Sequence, residues 1–232
     1  MKAILGRKMG MTQVFAADGT MYAVTVVEVL PNIVTQIKTI EKDGYEAVQV
    51  GYEDKKESRT TKAIRGIDLK AGTTCKYHHV ELKGDELKKY NVGDAITCDI
   101  FQAGDVVDAI GTSKGRGFLG NVQRWHHTIG PKGHGSGYHR GSGSFANNGR
   151  CNNRVIPGKK MPGHTGNKSS TILNLTVVSV NAEKNYILVK GALPGPKRSL
   201  VTLRSAIKTQ KSKPVVKEII NRTPAVASEG EN

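Results

Sequence analysis

The chain has 232 residues, a formal net charge of +15 and three cysteines. That length is enough for one large or two small domains with a hydrophobic core. Few, widely spaced cysteines argue against a disulfide framework and favour a reducing compartment. The apolar stretches are too short for a secretory signal or a membrane span, so we expect a cytoplasmic protein with no membrane partner.

The first half of the chain predicts short β-strands separated by turns. These strands are rich in β-branched residues and stop near proline, glycine or asparagine. They are, in chain order, Met21–Leu30, Ile33–Ile40, Tyr45–Tyr52, Asp94–Phe101 and Asp105–Gly111, the last two as a pair around residues 102–104. The charged segment Glu53–Arg65 is expected to be a loop, and Gly84–Tyr90 a brief helix.

Strands return after residue 170. Thr171–Val180 and Tyr186–Lys190 form a predicted hairpin joined by Asn181–Asn185, and Ser199–Leu203 is one more strand. Many short strands with turn signals between them predict a mainly β fold, either an antiparallel barrel or a sandwich.

Between these two sets of strands lies a segment of one charge sign. Ala109–Ala182 contains no Asp or Glu in 74 residues but carries ten Lys and Arg and five His, whereas residues 1–108 have a net charge of −1. Such a segment repels itself unless it meets a polyanion, and phosphate backbone is the commonest polyanion in a cell. We therefore expect this segment to bind nucleic acid.

The same region is poor in apolar residues and contains 14 glycines and three prolines between residues 111 and 170. It buries too little surface to offset its ordering entropy alone. The sequence thus predicts a long arm at 111–170, inserted between barrel strands and ordered by a partner. The barrel domain then spans 1–110 and 171–207, with a small insertion around 53–92, and a flexible tail spans 208–232.

Two motifs point to a small ligand but lack the context that such a site needs. Gly115–Gly120 matches G-x-G-x-x-G, yet a dinucleotide site also needs a helix of several turns and an acid about twenty residues on. A Gly-Pro pair soon afterwards ends any helix, and no acid occurs before Glu183. His134 and His139 have one compact spacing but no carboxylate nearby to orient metal ligands. We expect no cofactor, no metal and no small-molecule substrate.

Several other residues leave alternatives open. Trp125, the only tryptophan, could anchor the base of the arm against the barrel or stack on a nucleotide, because both uses bury its large face. The arm histidines could contact phosphates and bases or simply be solvated. The basic pairs Arg7-Lys8 and Lys197-Arg198 matter for binding only if folding brings them beside the arm.

Two rival classes of function also stay open. An enzyme acting on RNA or a nucleotide would use the arm as a substrate guide, and it would need an acid–base pair close to the arm in space. A free-standing nucleic-acid-binding regulator would instead form a compact reader with ordered base contacts.

Four segments carry a specific pattern. They are Leu5–Phe15 (LGRKMGMTQVF), Gly111–Phe118 (GTSKGRGF), Gly158–Asn167 (GKKMPGHTGN) and Lys190–Lys197 (KGALPGPK). In this order they resemble the motifs of the large ribosomal subunit protein L-three family, in its shorter bacterial form. The resemblance extends over most of the chain.

The resemblance implies a six-stranded antiparallel β-barrel of the translation-factor type, with the basic arm inserted between strands. It implies a structural protein of the large ribosomal subunit, not an enzyme, that binds large-subunit (23S) rRNA directly near its 3′ end, early in subunit assembly. The arm would reach toward the peptidyl transferase centre, beside neighbouring proteins of the L-fourteen and L-nineteen type.

The resemblance also implies where contacts lie. The tip of the arm would comprise Asn147, Asn148, Gly149 and Arg150. Some bacterial members carry an N-methylated glutamine there, but in this chain Gly149 takes that position. With the charge pattern, the predicted rRNA-binding residues are Arg7, Lys8, Lys114, Arg116, Arg124, Trp125, His126, Lys132, His134, His139, Arg140, Arg150, Arg154, Lys159, Lys160, His164, Asn167 and Lys168.

Overall fold

The structure is a computed structural model, and it describes residues 1–145, 154–208 and 215–220. The strands of these ranges are, in chain order, β1 (Ala3–Phe15), β2 (Met21–Glu28), β3 (Asn32–Lys38), β4 (Ala47–Asp54), β5 (Lys76–Leu82), β6 (Ala95–Ile96), β7 (Val106–Thr112), β8 (Gly117–Leu119), β9 (Gly163–Thr165), β10 (Ser169–Asn181), β11 (Tyr186–Lys190) and β12 (Leu200–Ser205). The α-helices are α1 (Ile40–Asp43), α2 (Lys62–Lys70) and α3 (Asn121–Trp125).

Helical structure is a minor part of the fold. Besides the α-helices, single 3₁₀ turns lie at Glu57–Arg59, Asp85–Lys89 and Cys98–Ile100. The turn at Asp85–Lys89 agrees with the brief helix predicted there, whereas the expected loop after β4 contains a 3₁₀ turn and the start of α2. None of the helices in the described ranges is long and apolar enough to cross a bilayer.

Six strands close into a barrel in the order β1, β12, β7, β10, β11, β2. The chain's late strand β12 runs antiparallel to β1, with Leu203 opposite Ile4 and Val201 opposite Gly6. On its other side β12 pairs with β7, where Leu203 lies opposite Ala109. The predicted fold class, a mainly β chain with an antiparallel six-stranded barrel, is confirmed.

Alternation of side chains explains why these segments form a barrel. In β12, Val201 and Leu203 are almost completely buried, and in β11 Ile187 and Val189 are completely buried. Successive residues of a strand face opposite sides, so each strand sends every second side chain inward. Each buried aliphatic side chain of this size stabilises the fold by about 1.5–3 kcal/mol.

Gly6 shows how closely the strands approach. A Cβ at this position would lie 2.6 Å from Val27 Cγ1 and 2.7 Å from the Glu28 carbonyl oxygen. Neither neighbour is the free end of a flexible side chain, so a larger residue would push β1 and β2 apart. The glycine in the first family-like motif is therefore a packing requirement of the barrel.

A second sheet of four strands, in the order β5, β4, β3, β6, packs on the barrel through one continuous core. The buried Asn32 joins the two sheets, because its Oδ1 accepts from Leu5 N at 3.1 Å and its Nδ2 donates to the carbonyl oxygens of Leu5 and Leu30 at 3.1 and 2.9 Å. Tyr52 OH donates to Glu28 O at 3.1 Å, and burial raises the pKa of this phenol. Buried polar groups thus have partners at the junction.

The prediction that Asp94–Phe101 pairs with Asp105–Gly111 is wrong. Only Ala95 and Ile96 of the first segment form a strand, and this strand pairs with β3. The remainder of the segment contains the 3₁₀ turn Cys98–Ile100, and Cys98 and Phe101 are buried in the core. Barrel closure gives β7 the neighbours β12 and β10, so its partners come from distant parts of the chain.

Residues 215–220 lie against the barrel within the segment predicted as a tail. Ile220 N donates to Phe15 O at 2.9 Å, and Ala17 N donates to Glu218 O at 2.8 Å. Val216 and Ile219 pack against a second apolar cluster, whose buried members are Ala16, Tyr22, Val24 and Val178. These contacts cover apolar side chains on the outer face of the barrel.

The chain divides into two compact units. We call residues 1–112 with the described residues from Ser170 onward the barrel unit, and Ser113–Ser169 the arm unit. The first contains the barrel and the four-stranded sheet. The second contains the strands β8 and β9 and the helix α3.

Candidate nucleic-acid interface

The base of the arm unit is a short antiparallel ladder. In it, β8 and β9 pair with Phe118 opposite His164. Arg116 N, just before β8, donates to Thr165 O at 2.8 Å, and farther along Ser113 N donates to Lys168 O at 2.9 Å. The two ends of a glycine-rich segment are therefore held together by main-chain hydrogen bonds, which need no particular side chains.

A bend in this ladder depends on Gly166 and Asn167. Both have left-handed backbone, with φ of +76° and +50°. A Cβ on Gly166 would lie 1.9 Å from the Lys114 carbonyl oxygen. Glycine and asparagine are the residues that accept this conformation most readily, so the third family-like motif has a local structural reason.

Helix α3 rests on the segment that precedes β9. Asn121, almost fully buried, donates from Nδ2 to Lys160 O at 3.2 Å. Arg124 Nη1 and Trp125 Nε1 both donate to Met161 O at 2.9 Å. The indole is thus anchored inside the arm unit. The single carbonyl of Met161 links helix α3 to the later half of the unit.

Trp125 also lies close to two cations. The Arg124 guanidinium carbon is 5.0 Å from the indole centroid, and Lys160 Nζ is 5.8 Å from it. Both distances suit cation–π attraction. The indole remains 38% exposed, so part of it stays accessible to solvent after anchoring.

The loop beyond α3 has turns of its own. Gly130 N donates to His139 O at 2.9 Å, and His139 Nδ1 lies 2.9 Å from Pro131 O. A Cβ on Gly141 would lie 2.3 Å from the Tyr138 ring. Local contacts therefore shape residues 130–141 although few apolar side chains are available there.

The predicted contact residues of the arm unit lie at the surface. The exposed ones are Lys114, Arg116, Trp125, His126, Lys132, His134, His139, Arg140, Arg154, Lys160, His164, Asn167 and Lys168, while Arg124 and Lys159 are half-buried. The unit contains no Asp or Glu, so none of its cations has a carboxylate partner within it. The structure brings Arg124 and Lys160 together at Trp125.

Exposed aromatic rings accompany these cations. Phe118 is 65% exposed and meets His164 edge to face, with ring centroids 5.7 Å apart. Tyr138 and Phe145 are also exposed. Aromatic side chains among cations provide stacking platforms for nucleobases. These three rings are absent from the predicted contact residues, although their spacing between basic residues is visible in the sequence.

Arg7 and Lys8 lie in the barrel unit and have partners there. The Arg7 guanidinium forms an ion pair with Glu53 through two contacts and donates to Arg198 O at 2.6 Å. The hydrogen bond to Glu53 raises the Arg7 pKa. Lys8 is buried and donates from Nζ to the carbonyl oxygens of Leu193 and Gly195 at 2.7 and 3.0 Å.

The four family-like motifs therefore meet in pairs. The first and the last meet in the barrel unit, where Lys8 donates to carbonyls of the Lys190–Lys197 motif. The second and the third meet in the arm unit, along the ladder of β8 and β9. The predicted tip residues Asn147, Asn148, Gly149 and Arg150 lie outside the described residues.

The motifs for small ligands find no matching geometry. After Gly115–Gly120 the chain forms α3, a helix of five residues that ends where His126 has left-handed backbone. In residues 1–145, 154–208 and 215–220, no group of three or more His, Cys, Asp or Glu side chains is arranged to hold a metal ion.

The family resemblance is confirmed by comparison with known proteins. The family model described as Ribosomal protein L3 matches residues 32–185 and 181–229. The Large ribosomal subunit protein uL3 of Lactobacillus helveticus is 50% identical over 211 residues, covering 91% of this chain and 98% of that protein. The uL3 of Spiroplasma kunkelii is 48% identical over 223 residues, covering 96% of this chain and 84% of that protein. The matches include both units, and the chain belongs to the ribosomal protein L3 family.

Proposed function

We propose that the protein is a structural constituent of the large ribosomal subunit and that its arm unit binds large-subunit rRNA directly. The observation that carries this proposal is the surface of the arm unit, where Lys and Arg side chains are exposed and no carboxylate is present. Membership of a ribosomal-protein family confirms the prediction that the chain is not an enzyme.

Counterion release provides most of the binding free energy in this proposal. Each cation that neutralises a phosphate releases condensed ions, so affinity falls with salt by about 0.7–0.9 in log–log slope per contact. The exposed rings of Phe118 and Trp125 add base stacking, which supports unpaired nucleotides better than duplex. The protein positions RNA and performs no chemistry on it.

The finer parts of the proposal rest on the family. The contact lies near the 3′ end of the rRNA and forms early in subunit assembly. The arm extends toward the peptidyl transferase centre, with its tip at residues 147–150. The neighbours are proteins of the L-fourteen and L-nineteen type, and the protein resides on ribosomes in the cytoplasm.

The arm contact is tested with charge variants of equal size. An arm variant carries Lys114→Gln, Lys132→Gln, Arg140→Gln and Lys168→Gln, all at exposed positions. A control variant carries Lys42→Gln, Lys83→Gln, Lys89→Gln and Lys184→Gln, which are exposed positions of the barrel unit. Each removes four positive charges from a chain of net charge +15, so only their location differs.

Binding to a large-subunit rRNA transcript is measured across a salt series. The arm variant should bind roughly a hundredfold more weakly, with a salt slope shallower by about 3. The control variant should keep a slope close to the wild type. An arm variant with the wild-type slope would show that the arm is not the electrostatic contact.

Sedimentation tests the cellular side of the proposal. The protein should travel with the large ribosomal subunit in low-salt lysate and leave it only in high salt or denaturant, because its contacts are mainly with phosphates. A protein that sediments as a free monomer in low salt would contradict the proposal.

A further inference from the structure

The connection between β4 and β5 forms a distinct part of the barrel unit. These strands pair antiparallel, and their last paired residues at this end are Asp54 and Lys76. Residues 55–75 therefore leave the sheet and return to the same edge. They contain the 3₁₀ turn at Glu57–Arg59 and helix α2, and we call them the basic lobe.

The basic lobe concentrates positive charge that the overall balance conceals. Its 21 residues contain six Lys and Arg and two carboxylates, a net charge of +4. Residues 1–108 as a whole have a net charge of −1, so the rest of that half is acidic. The net charge of residues 1–108 therefore averages a basic region with an acidic one.

Both carboxylates of the lobe already have partners. Asp68 has no exposed side-chain surface, accepts from Lys76 N at 3.0 Å and lies 2.7 Å from His79 Nε2. Glu57 pairs with Arg65 at 3.3 Å. The acids therefore hold the lobe together and leave no negative charge free to balance its remaining cations.

The acids at the entrance of the lobe are occupied as well. Glu53 pairs with Arg7, and Asp54 accepts from Lys76 Nζ at 2.7 Å and from Thr74 Oγ1 at 2.6 Å. The bonds from Lys76 and Thr74 lower the pKa of Asp54. Its charge is matched by Lys76 and does not offset the lobe.

Besides Arg65, which is paired with Glu57, four cations of the lobe are exposed: Lys56, Arg59, Lys62 and Lys70. None of them forms an ion pair with any residue in the described part of the chain. An excess of one charge sign within a short segment repels itself in the free protein, so a polyanion would relieve the repulsion on binding.

Helix α2 gives two of these cations a defined position. Ile64, Ile67 and Asp68, which are less exposed than the ends of the helix, share one face at helical spacing. Lys62 and Lys70 are exposed on the remaining surface. A helix that packs through one face loses less entropy on binding than a free loop carrying the same charges.

An aromatic ring borders the lobe. Tyr77 is 58% exposed, and Lys55 Nζ lies 5.4 Å from the centroid of its ring. A ring with a cation on one face can still stack a base on the other. Apart from Leu69, the lobe exposes no large hydrophobic side chain among its residues, so it lacks the apolar centre typical of a protein–protein interface.

We propose that the basic lobe is a second RNA-binding surface, which binds the phosphate backbone of large-subunit rRNA independently of the arm. The inference rests on the proposed function, because it takes rRNA as the polyanion. Phosphate contacts position a protein and add affinity, but they carry no sequence information. The lobe therefore orients the barrel unit on RNA.

The test adds a lobe variant to the arm and control variants. It carries Lys56→Gln, Arg59→Gln, Lys62→Gln and Lys70→Gln in the full chain. Its binding to the large-subunit rRNA transcript should be at least tenfold weaker than that of the control variant, with a salt slope shallower by about 2–3. A companion with Lys56→Arg, Lys62→Arg and Lys70→Arg keeps the charge and should bind like the wild type, which separates charge from folding.

The outcomes distinguish this inference from the proposed function. A lobe variant that binds like the control, beside a weakened arm variant, overturns the lobe and leaves the arm proposal intact. A wild-type chain that fails to bind the transcript overturns both. In a further outcome, the wild type binds poly-glutamate more tightly than the lobe variant does, while the two share the same salt slope with RNA. That result overturns the inference in favour of an acidic protein partner. A companion as weak as the lobe variant shows that charge is not the cause, and overturns it too.

Discussion

The barrel unit and the arm unit use their charged residues in opposite ways. In the barrel unit Arg7 forms an ion pair with Glu53, and Lys8 donates to two carbonyl oxygens. The fully buried Asp108 accepts from Asn174 N at 3.0 Å and from Ile207 N at 3.3 Å. Charge at these positions is part of the architecture, because each of these groups has a partner fixed by the fold.

The arm unit has cations and no carboxylates. Its internal order comes from main-chain hydrogen bonds, from the Met161 carbonyl that accepts from Arg124 and Trp125, and from glycine-dependent bends. The charges are left over once that order is complete. They cost self-repulsion in the free protein and stabilise only a complex with a polyanion.

A basic residue is therefore informative only together with its partners. Lys8 and Lys114 are both lysines of family-like motifs, yet one is buried and bonded and the other is exposed. The basic lobe belongs to the barrel unit but follows the pattern of the arm, since its acids are occupied and four of its cations are exposed without an acidic partner among the described residues. A cation is a candidate contact when it has no acidic partner and belongs to a segment that is rich in cations and whose acids are absent or occupied; the net charge of the chain does not show this.

The largest expected effect comes from exchanging one cation of each kind. Lys8→Met removes the donor to two buried carbonyls, so the free energy of unfolding should fall by about 3 kcal/mol. The salt slope of RNA binding should not change, because the ammonium is used inside the fold. Lys114→Met should leave stability within about 0.5 kcal/mol and make the slope shallower by about 0.7–0.9.

Urea denaturation and a salt series of rRNA binding measure the two quantities on both variants. Met keeps most of the length of the lysine stem, so the exchange changes charge and hydrogen bonding more than volume. If Lys8→Met altered the salt slope of RNA binding and left the free energy of unfolding unchanged, Lys8 would be an RNA contact and not a structural cation. The two units would then not differ in how they use charge.

A smaller effect is expected from the bend of the arm. Gly166→Ala places a Cβ against the Lys114 carbonyl oxygen in left-handed backbone, at a cost of about 2 kcal/mol. Amide exchange of Ser113, Arg116 and Asn167 should accelerate roughly thirtyfold. The core amides of the barrel unit should exchange as before, because its order does not depend on that bend.

Gly133→Ala is the matched control for this change. Gly133 lies in the same unit, and a Cβ there would meet no atom within 4 Å. Its exchange pattern should match that of the wild type. Equal acceleration in both variants would mean that the arm ladder is unstable to any substitution and that Gly166 has no special role.

Much of the fold could be predicted because β-branched runs mark their own strands. The hairpin of β10 and β11 agrees with its prediction, since its turn and its alternation are both local. Strand β1 was not predicted, because Gly6 and Gly10 lower its strand propensity. The pairing of β7 with β12 was not predicted either, because partners so distant in sequence leave no local signal.

The candidate site divides in the same way. The absence of acids between Ala109 and Ala182 is visible in the sequence, so the arm could be predicted from composition alone. The role of Met161 could not, because a main-chain carbonyl has no residue signature. The basic lobe was missed because the occupied state of Glu57 and Asp68 is a property of contacts, which composition does not contain.

The smallest expected effect concerns the segment 215–220, where a cation is again paired with an acid of the barrel unit. Lys217 forms an ion pair with Asp18, and hydrogen bonds from Lys217 and Thr20 lower the pKa of Asp18 to about 2. A carboxyl whose pKa is lowered on docking contributes fully above its ordinary pKa of about 4, and the contribution is lost as pH falls toward about 2. The Ile220 amide, which donates to Phe15 O, should therefore shift in NMR spectra across that window. Asp18→Asn should remove the titration and weaken docking slightly, and added salt should do the same because the pair is exposed. If the Ile220 amide titrated alike in the wild type and in Asp18→Asn, the Asp18–Lys217 pair would not hold the segment. The pairing of charges inside the barrel unit would then not extend to residues 215–220.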